Sequence, residues 1–174
     1  MSVDKEIAMI LICYDGSDDA RAAVRHAAAL FPGQPATVLT VWEPFIEVVA
    51  QTSLGFGMVA AAPDPEAVDK ASDRRAEEIA HEGAELANEN GLEATPVAGA
   101  QASTTARAIL GEAEKLGAQA IVMGSRGRTG LKSLLGSVSH EVIQHADRAV
   151  VVVPSPAVAA SRARRVQEDE VAIG

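Results

Sequence analysis

Aromatic side chains are scarce in this chain: Phe, Tyr and Trp together make up 3% of its 174 residues. Any core must therefore be aliphatic, which suits helices packed closely on a parallel sheet. Cysteine occurs once, at Cys13, excluding an internal disulfide and any cysteine-rich zinc site. Because Cys13 lies inside an apolar run, it reads as a buried, structural thiol. Long apolar runs are also missing; none approaches the roughly 20 residues that span a bilayer. The opening MSVDKEIAMI has no basic stretch followed by an apolar one, as a secretory signal would. Positive charge is in deficit, with 15 Lys and Arg against 24 Asp and Glu for a net charge of −9. That balance argues against general nucleic-acid binding, which needs cations to neutralise phosphates. The expectation is a soluble, cytoplasmic protein with no membrane and no nucleic-acid partner.

What the chain does have is alternation between short apolar runs and helical patterns. Ile7–Cys13 is an apolar run of strand length, as for a strand buried on both faces. Gly16 and Ser17 then offer a turn and a helix N-cap. Ala20, Val24, Ala27 and Phe31 repeat at helical spacing up to Pro32-Gly33. Ala36–Trp42 reads as a second strand. The stretch 43–65, with Pro44, Gly55, Gly57, Pro63 and Pro65, reads as an irregular loop: either a functional lid or a loosely packed insertion. Glu66 to Asn90 reads as a long helix stopped by Asn90-Gly91. Leu92–Gly99 is a weaker strand whose Pro96 suggests a sheet edge. Ser103-Thr104-Thr105 opens the next helix, Gln119–Met123 forms a fourth strand, and a helix then runs to about His145. Ala149–Val153 closes the pattern. Residues 1–156 form one expected domain, and 157–174 a polar tail expected to be mobile, with a short helix as the alternative.

Strands alternating with helices imply a doubly wound parallel α/β sheet of five strands with helices on both faces. In such sheets ligands bind beyond the carboxyl ends of the strands where the winding reverses. For the order 3-2-1-4-5 that point lies between the first and fourth strands, where Asp15 and Gly124 end their strands.

Gly124–Ser139, GSRGRTGLKSLLGSVS, sets Arg126, Arg128 and Lys132 among Gly124, Gly127, Gly130 and Gly136. A strand, a glycine-rich loop with cations and a helix start together make a phosphate-binding arrangement. Glycines let N–H groups converge on an anion, and the helix start adds partial positive charge. The spacing is neither a Walker A sequence nor a dinucleotide fingerprint. Elsewhere no catalytic or metal set assembles. His140 and His145 are off the i, i+4 spacing that puts two ligands on one helical face. Asp18-Asp19 and Glu77-Glu78 read as solvated helix charge.

Three runs, Ile12–Ser17, Val122–Gly127 and Leu135–Ser139, resemble the universal stress protein family. Ala149–Pro154 is similar to that family's closing strand. The nucleotide-binding branch of the family carries Gly-x-x-Gly, nine residues, then Gly-Ser or Gly-Thr. Here Gly124 and Gly127 match the first pair and Gly136-Ser137 the last, with a gap of 128–135 that is one residue short. The resemblance implies an adenine nucleotide α-hydrolase-like fold and a bound ATP, ADP or AMP. It places Asp15 near the nucleoside and the Val41 backbone against adenine. Gly127, Gly130, Ser137 and Ser139 would offer donors to the phosphates, alongside Gly124, Gly136 and Val138. Mg²⁺ would bridge the oxygens of a triphosphate. Arg126 and Arg128 would either join that cradle or remain solvated.

The resemblance also implies a homodimer through Ala149–Val153 and a nucleotide-dependent regulator or sensor in the stress response. With no base or water-positioning residue evident, hydrolysis would be slow at most. A nucleotide-independent interaction module of the same fold is the alternative, which the short gap keeps open. A phosphorylation-switched receiver domain would need an Asp ending the third strand, where Val97-Ala98-Gly99 offers none.

Overall fold

The computed structural model describes residues 9–51, 64–101, 103–127, 135–157, 159–161 and 163–164. Within them the elements run β1 (Ile10–Cys13), α1 (Asp18–Leu30), β2 (Pro35–Trp42), α2 (Phe45–Gln51) and α3 (Pro65–Glu89). They continue with β3 (Glu93–Ala100), α4 (Thr105–Lys115), β4 (Ala120–Gly124), α5 (Ser137–His145) and β5 (Ala149–Val153). The strands form one five-stranded parallel sheet in the order β3-β2-β1-β4-β5. That is the expected doubly wound order, with Pro96 on an edge strand as its missing N–H requires. The first strand begins at Ile10, with Met9 outside it.

The central strands β1 and β4 are apolar on both sides because both faces are covered. Ile10, Ile12, Val38 and Val122 point into a core shared with Val24 and Ala27 of α1 and Ala84 and Ala87 of α3. Leu11, Leu39, Ile121 and Met123 point the other way, against Ile109 and Ala113 of α4 and Val142 of α5. Fully burying each such Leu, Ile or Val contributes about 1.5–3 kcal/mol. The small residues let helices sit close. At Gly83 in α3, a Cβ would stand 2.7 Å from the Tyr14 ring and 2.8 Å from Val38.

Two expectations need correction. Part of 43–65 is not irregular: Phe45–Gln51 is a helix, its first N–H donating to Asp69 Oδ1 of α3 at 2.7 Å. Residues 52–63 lie outside the described set. Asp19 is not a solvated charge either, being only 6% exposed. After β5, residues 156–157, 159–161 and 163–164 are helical; the tail from 165 onward lies outside the described residues.

Candidate functional site

The carboxyl ends of β1 and β4 part to opposite faces and leave a cavity of about 420 Å³ between them. This is the reversal point of the sheet, and the volume falls in the range of small-molecule sites. Asp15, Val41, Gly124, Arg126, Gly127, Gly136, Ser137, Val138 and Ser139 all line it. These are the sequence-predicted residues among those described; Arg128 and Gly130 lie outside the described set.

The first wall comes from the turn after β1. Ser17 caps α1, its Oγ accepting from Ala20 N at 3.2 Å. Asp15 Oδ1 accepts from Ser17 N at 3.0 Å, and Gly16 completes the turn at φ +78°. Asp15 thus serves the turn with one oxygen and turns the other towards the glycine loop. A Cβ at Gly127 would stand 2.9 Å from Asp15 Oδ2, so a side chain there would displace the Asp15 carboxylate.

The second wall is held by Ser125, which is buried at 1% exposure. Its N–H donates to Val153 O of β5 at 2.8 Å, and its carbonyl accepts from Gly136 N at 2.8 Å. Ser139 Oγ also reaches that carbonyl, at 3.1 Å, and Gly136 O at 3.0 Å. The Ser125 hydroxyl donates to Asp19 Oδ2 at 2.7 Å. Arg126 Nε lies 3.8 Å from the same oxygen. Gly124 permits this docking, since its Cβ would fall 2.8 Å from Asp19 Cβ. The β4 end, α1, α5 and β5 are therefore tied together at one residue. Gly136, the N-cap of α5, has no side chain to accept from the first turn. The helix start consequently opens on the cavity with its N–H groups and partial positive charge.

The third side is apolar. Leu39 and Val41 of β2, Ile109 of α4 and Met123 of β4 line it. Tyr14 N, just after β1, donates to Leu39 O at 2.9 Å, the last backbone bond to β2 on that side, whereas Trp42 O accepts from Gln101 N on the β3 side. Alternate residues of a strand direct their N–H and C=O to the same side. Val41 therefore directs its backbone groups to the side that β1 has vacated.

Several wall residues escaped the sequence reading: Cys13, Tyr14, Leu39, Thr105, Ile109 and Met123 among them. Cys13 is half-buried on the cavity wall rather than sealed in the core. Burial pushes its thiol up to about 12, and the Asp15 carboxylate adds to the rise. The expectation of an unreactive thiol agrees with that direction. The Tyr14 hydroxyl donates to Glu82 Oε1 of α3 at 2.7 Å. Arg21 bonds both Glu82 and the Gly16 carbonyl, bracing the Asp15 turn from behind. Burial first, and the bond to Glu82 second, raise the Tyr14 pKa. The Tyr14 and Arg21 bonds, in that order, hold Glu82 below the ordinary carboxylate value. Only a pairing across 68 residues reveals this brace, so no local signal could have found it.

Known proteins share this architecture. The universal stress protein YxiE of Bacillus subtilis is 36% identical over 151 residues, covering 83% of this chain and 97% of that protein. The UspA structure from Lactobacillus plantarum has a TM-score of 0.62 at 18% identity, covering 84% of this chain and 97% of that one. A universal stress protein from Archaeoglobus fulgidus, solved in complex with dAMP, has a TM-score of 0.55 at 22% identity, covering 84% and 97%. The universal stress protein family model matches residues 7–154. The chain belongs to the universal stress protein family.

Proposed function

We propose that the chain binds an adenine nucleotide in this cavity and acts as a nucleotide-dependent regulator or sensor in the stress response. ATP is the leading ligand, with ADP and AMP as the other candidates. One observation carries the reading: a single cavity joins an apolar slot to an anion-binding end, with a carboxylate between. Leu39, Val41 and Ile109 supply the slot and the Val41 backbone supplies polar groups for a base edge. Gly124, Gly127 and the α5 start supply the phosphate end. Asp15 suits ribose hydroxyls. The dAMP held by the Archaeoglobus fulgidus relative supports the same ligand class.

The residues fit the ligand in a specific way, because at Gly127 any side chain would enter the space against Asp15. Mg²⁺, where a triphosphate brings it, would be held mainly by phosphate oxygens and water. Asp15 is the one carboxylate among the described residues lining the cavity, and no described lining residue is a histidine. The proposal therefore includes at most slow hydrolysis. Pairing of two chains through Ala149–Val153 is part of the same reading.

The test is to denature freshly purified protein and identify any released nucleotide, then titrate ATP calorimetrically. Wild type should bind, and Gly127→Glu, which places a negative charge in the cradle, should lose at least tenfold in affinity, on the order of 1.4 kcal/mol. Equal binding by both proteins would remove the nucleotide from this loop. No binding by wild type would favour the nucleotide-independent interaction module, the alternative that the short 128–135 gap keeps open.

A further inference from the structure

A side-chain hydrogen-bond relay runs from Glu43 through Gln101 to Thr105 on the cavity wall. Gln101 directly follows β3 and is buried, its N–H donating to Trp42 O at 2.8 Å. Its side-chain amide donates from Nε2 to Glu43 Oε1 at 3.1 Å and to Ser103 O at 3.4 Å. A carboxylate and a carbonyl only accept, so the amide nitrogen must face them and Oε1 must face the other way. On that other side, Thr105 Oγ1 donates to Gln101 Oε1 at 2.7 Å. A hydroxyl has one proton, and here it is committed. What Thr105 can turn to the cavity it lines is a lone pair.

The position of that lone pair matters. Gln101 is pinned to the residue after Val41, so Thr105 stands on the β2 side of the cavity. Gly124 and Gly127 stand on the β4 side. Leu39 and Ile109 make the surroundings apolar, where one unmatched polar atom decides between otherwise similar ligands.

We infer that Thr105 is a specificity-determining residue, fixed as an acceptor by Gln101 and Glu43, so that the base end favours a purine bearing a 6-amino group. The inference rests on the nucleotide reading above. An exocyclic amine donates to Thr105 Oγ1. A 6-oxo group sets acceptor against acceptor with no proton between the two oxygens, a mismatch that costs an order of magnitude or more in affinity. Glu43 and Gln101 are positioning residues, acting on the base through Thr105.

The experiment compares the affinities of ATP, ITP and purine riboside 5′-triphosphate, which lacks the amine, by calorimetry on the full chain. Wild type should prefer ATP to ITP by at least about tenfold, with the purine analogue between. Thr105→Val should weaken ATP about three- to tenfold and leave ITP nearly unchanged. Thr105→Ser, which keeps the hydroxyl, should retain the wild-type ratio. Gln101→Leu frees the Thr105 proton to turn towards an oxo group, so ITP should gain while ATP is largely kept. Thermal melts confirm that each variant is folded, and the Ser and Leu variants carry the test if the Val variant is not. If ATP binds wild type but the ATP-to-ITP ratio is the same in Thr105→Val and Gln101→Leu, the relay is overturned and the nucleotide site stands. If none of the three binds wild type, the nucleotide site falls and the relay with it.

Discussion

At the scale of single residues, Ser125 has the most consequences for the least chemistry. Its amide, carbonyl and hydroxyl reach β5, α5 and α1 respectively, so the glycine-loop end of the cavity is built around it. Ser125→Ala removes the donor to the buried Asp19 carboxylate and should cost about 1–3 kcal/mol of stability. It should also loosen Arg126 and Gly127 without touching the apolar slot. ATP affinity should therefore fall several-fold while adenosine affinity holds, with Ser125→Thr restoring ATP binding. Equal weakening of both ligands would show a merely global role. Residues whose chemistry is local were legible in the sequence: Asp15 at its turn, Ser17 at its cap, Gly127 in its loop. Asp19 was not. In the first turn of a helix a carboxylate reads as solvated, and here it is buried because a loop 106 residues away closes over it.

At the scale of elements, the same contrast separates α3 from α2. The long helix α3 is written in its periodicity and its Asn90-Gly91 stop, whereas α2 has seven residues and an anchor, Asp69, on another helix. Its start signal lies outside its own sequence. Docking of α3 on the sheet depends on the missing side chain at Gly83, directly over the Tyr14 ring. Gly83→Ala improves helix propensity by about 1 kcal/mol but forces the ring and Val38 to move, an overpacking of about 1–3 kcal/mol. A net loss of roughly 1 kcal/mol is expected by urea denaturation; a gain would mean that the ring can shift freely. The neighbouring Glu82 adds pH dependence. Its folded pKa is lowered, so its contribution is present above the unfolded value of about 4.3 and is lost as pH falls through the folded value. Glu82 is half-exposed, which limits that contribution to about 1 kcal/mol or less. Glu82→Gln should therefore be less stable than wild type at pH 7, and the difference should shrink as pH falls through the lowered folded value. A difference that persists at low pH would assign the effect to packing rather than charge.

At the scale of the whole molecule, the sheet order is what turns separate motifs into a site, and the order was legible because alternating elements leave few right-handed windings. What the order does not fix is the fate of its outer strands. β3 lies at one edge with Pro96, which lacks the N–H for pairing. β5 lies at the other edge with four valines, of which Val150, Val151 and Val152 are half-buried. An apolar outer strand is a ready pairing surface, and proposed self-association there has a direct link to the cavity through the Val153–Ser125 bond. Val151→Lys tests the edge, since a lysine at a half-buried position can bury its stem and carry its charge to the surface. The variant should remain folded by circular dichroism and run as a monomer in light scattering, against a dimer for wild type. If the two chains meet elsewhere, its mass stays that of the dimer, and pairing through β5 is excluded. If they meet at β5, nucleotide affinity should shift along with mass, because the strand being uncovered ends on the carbonyl that holds the glycine loop.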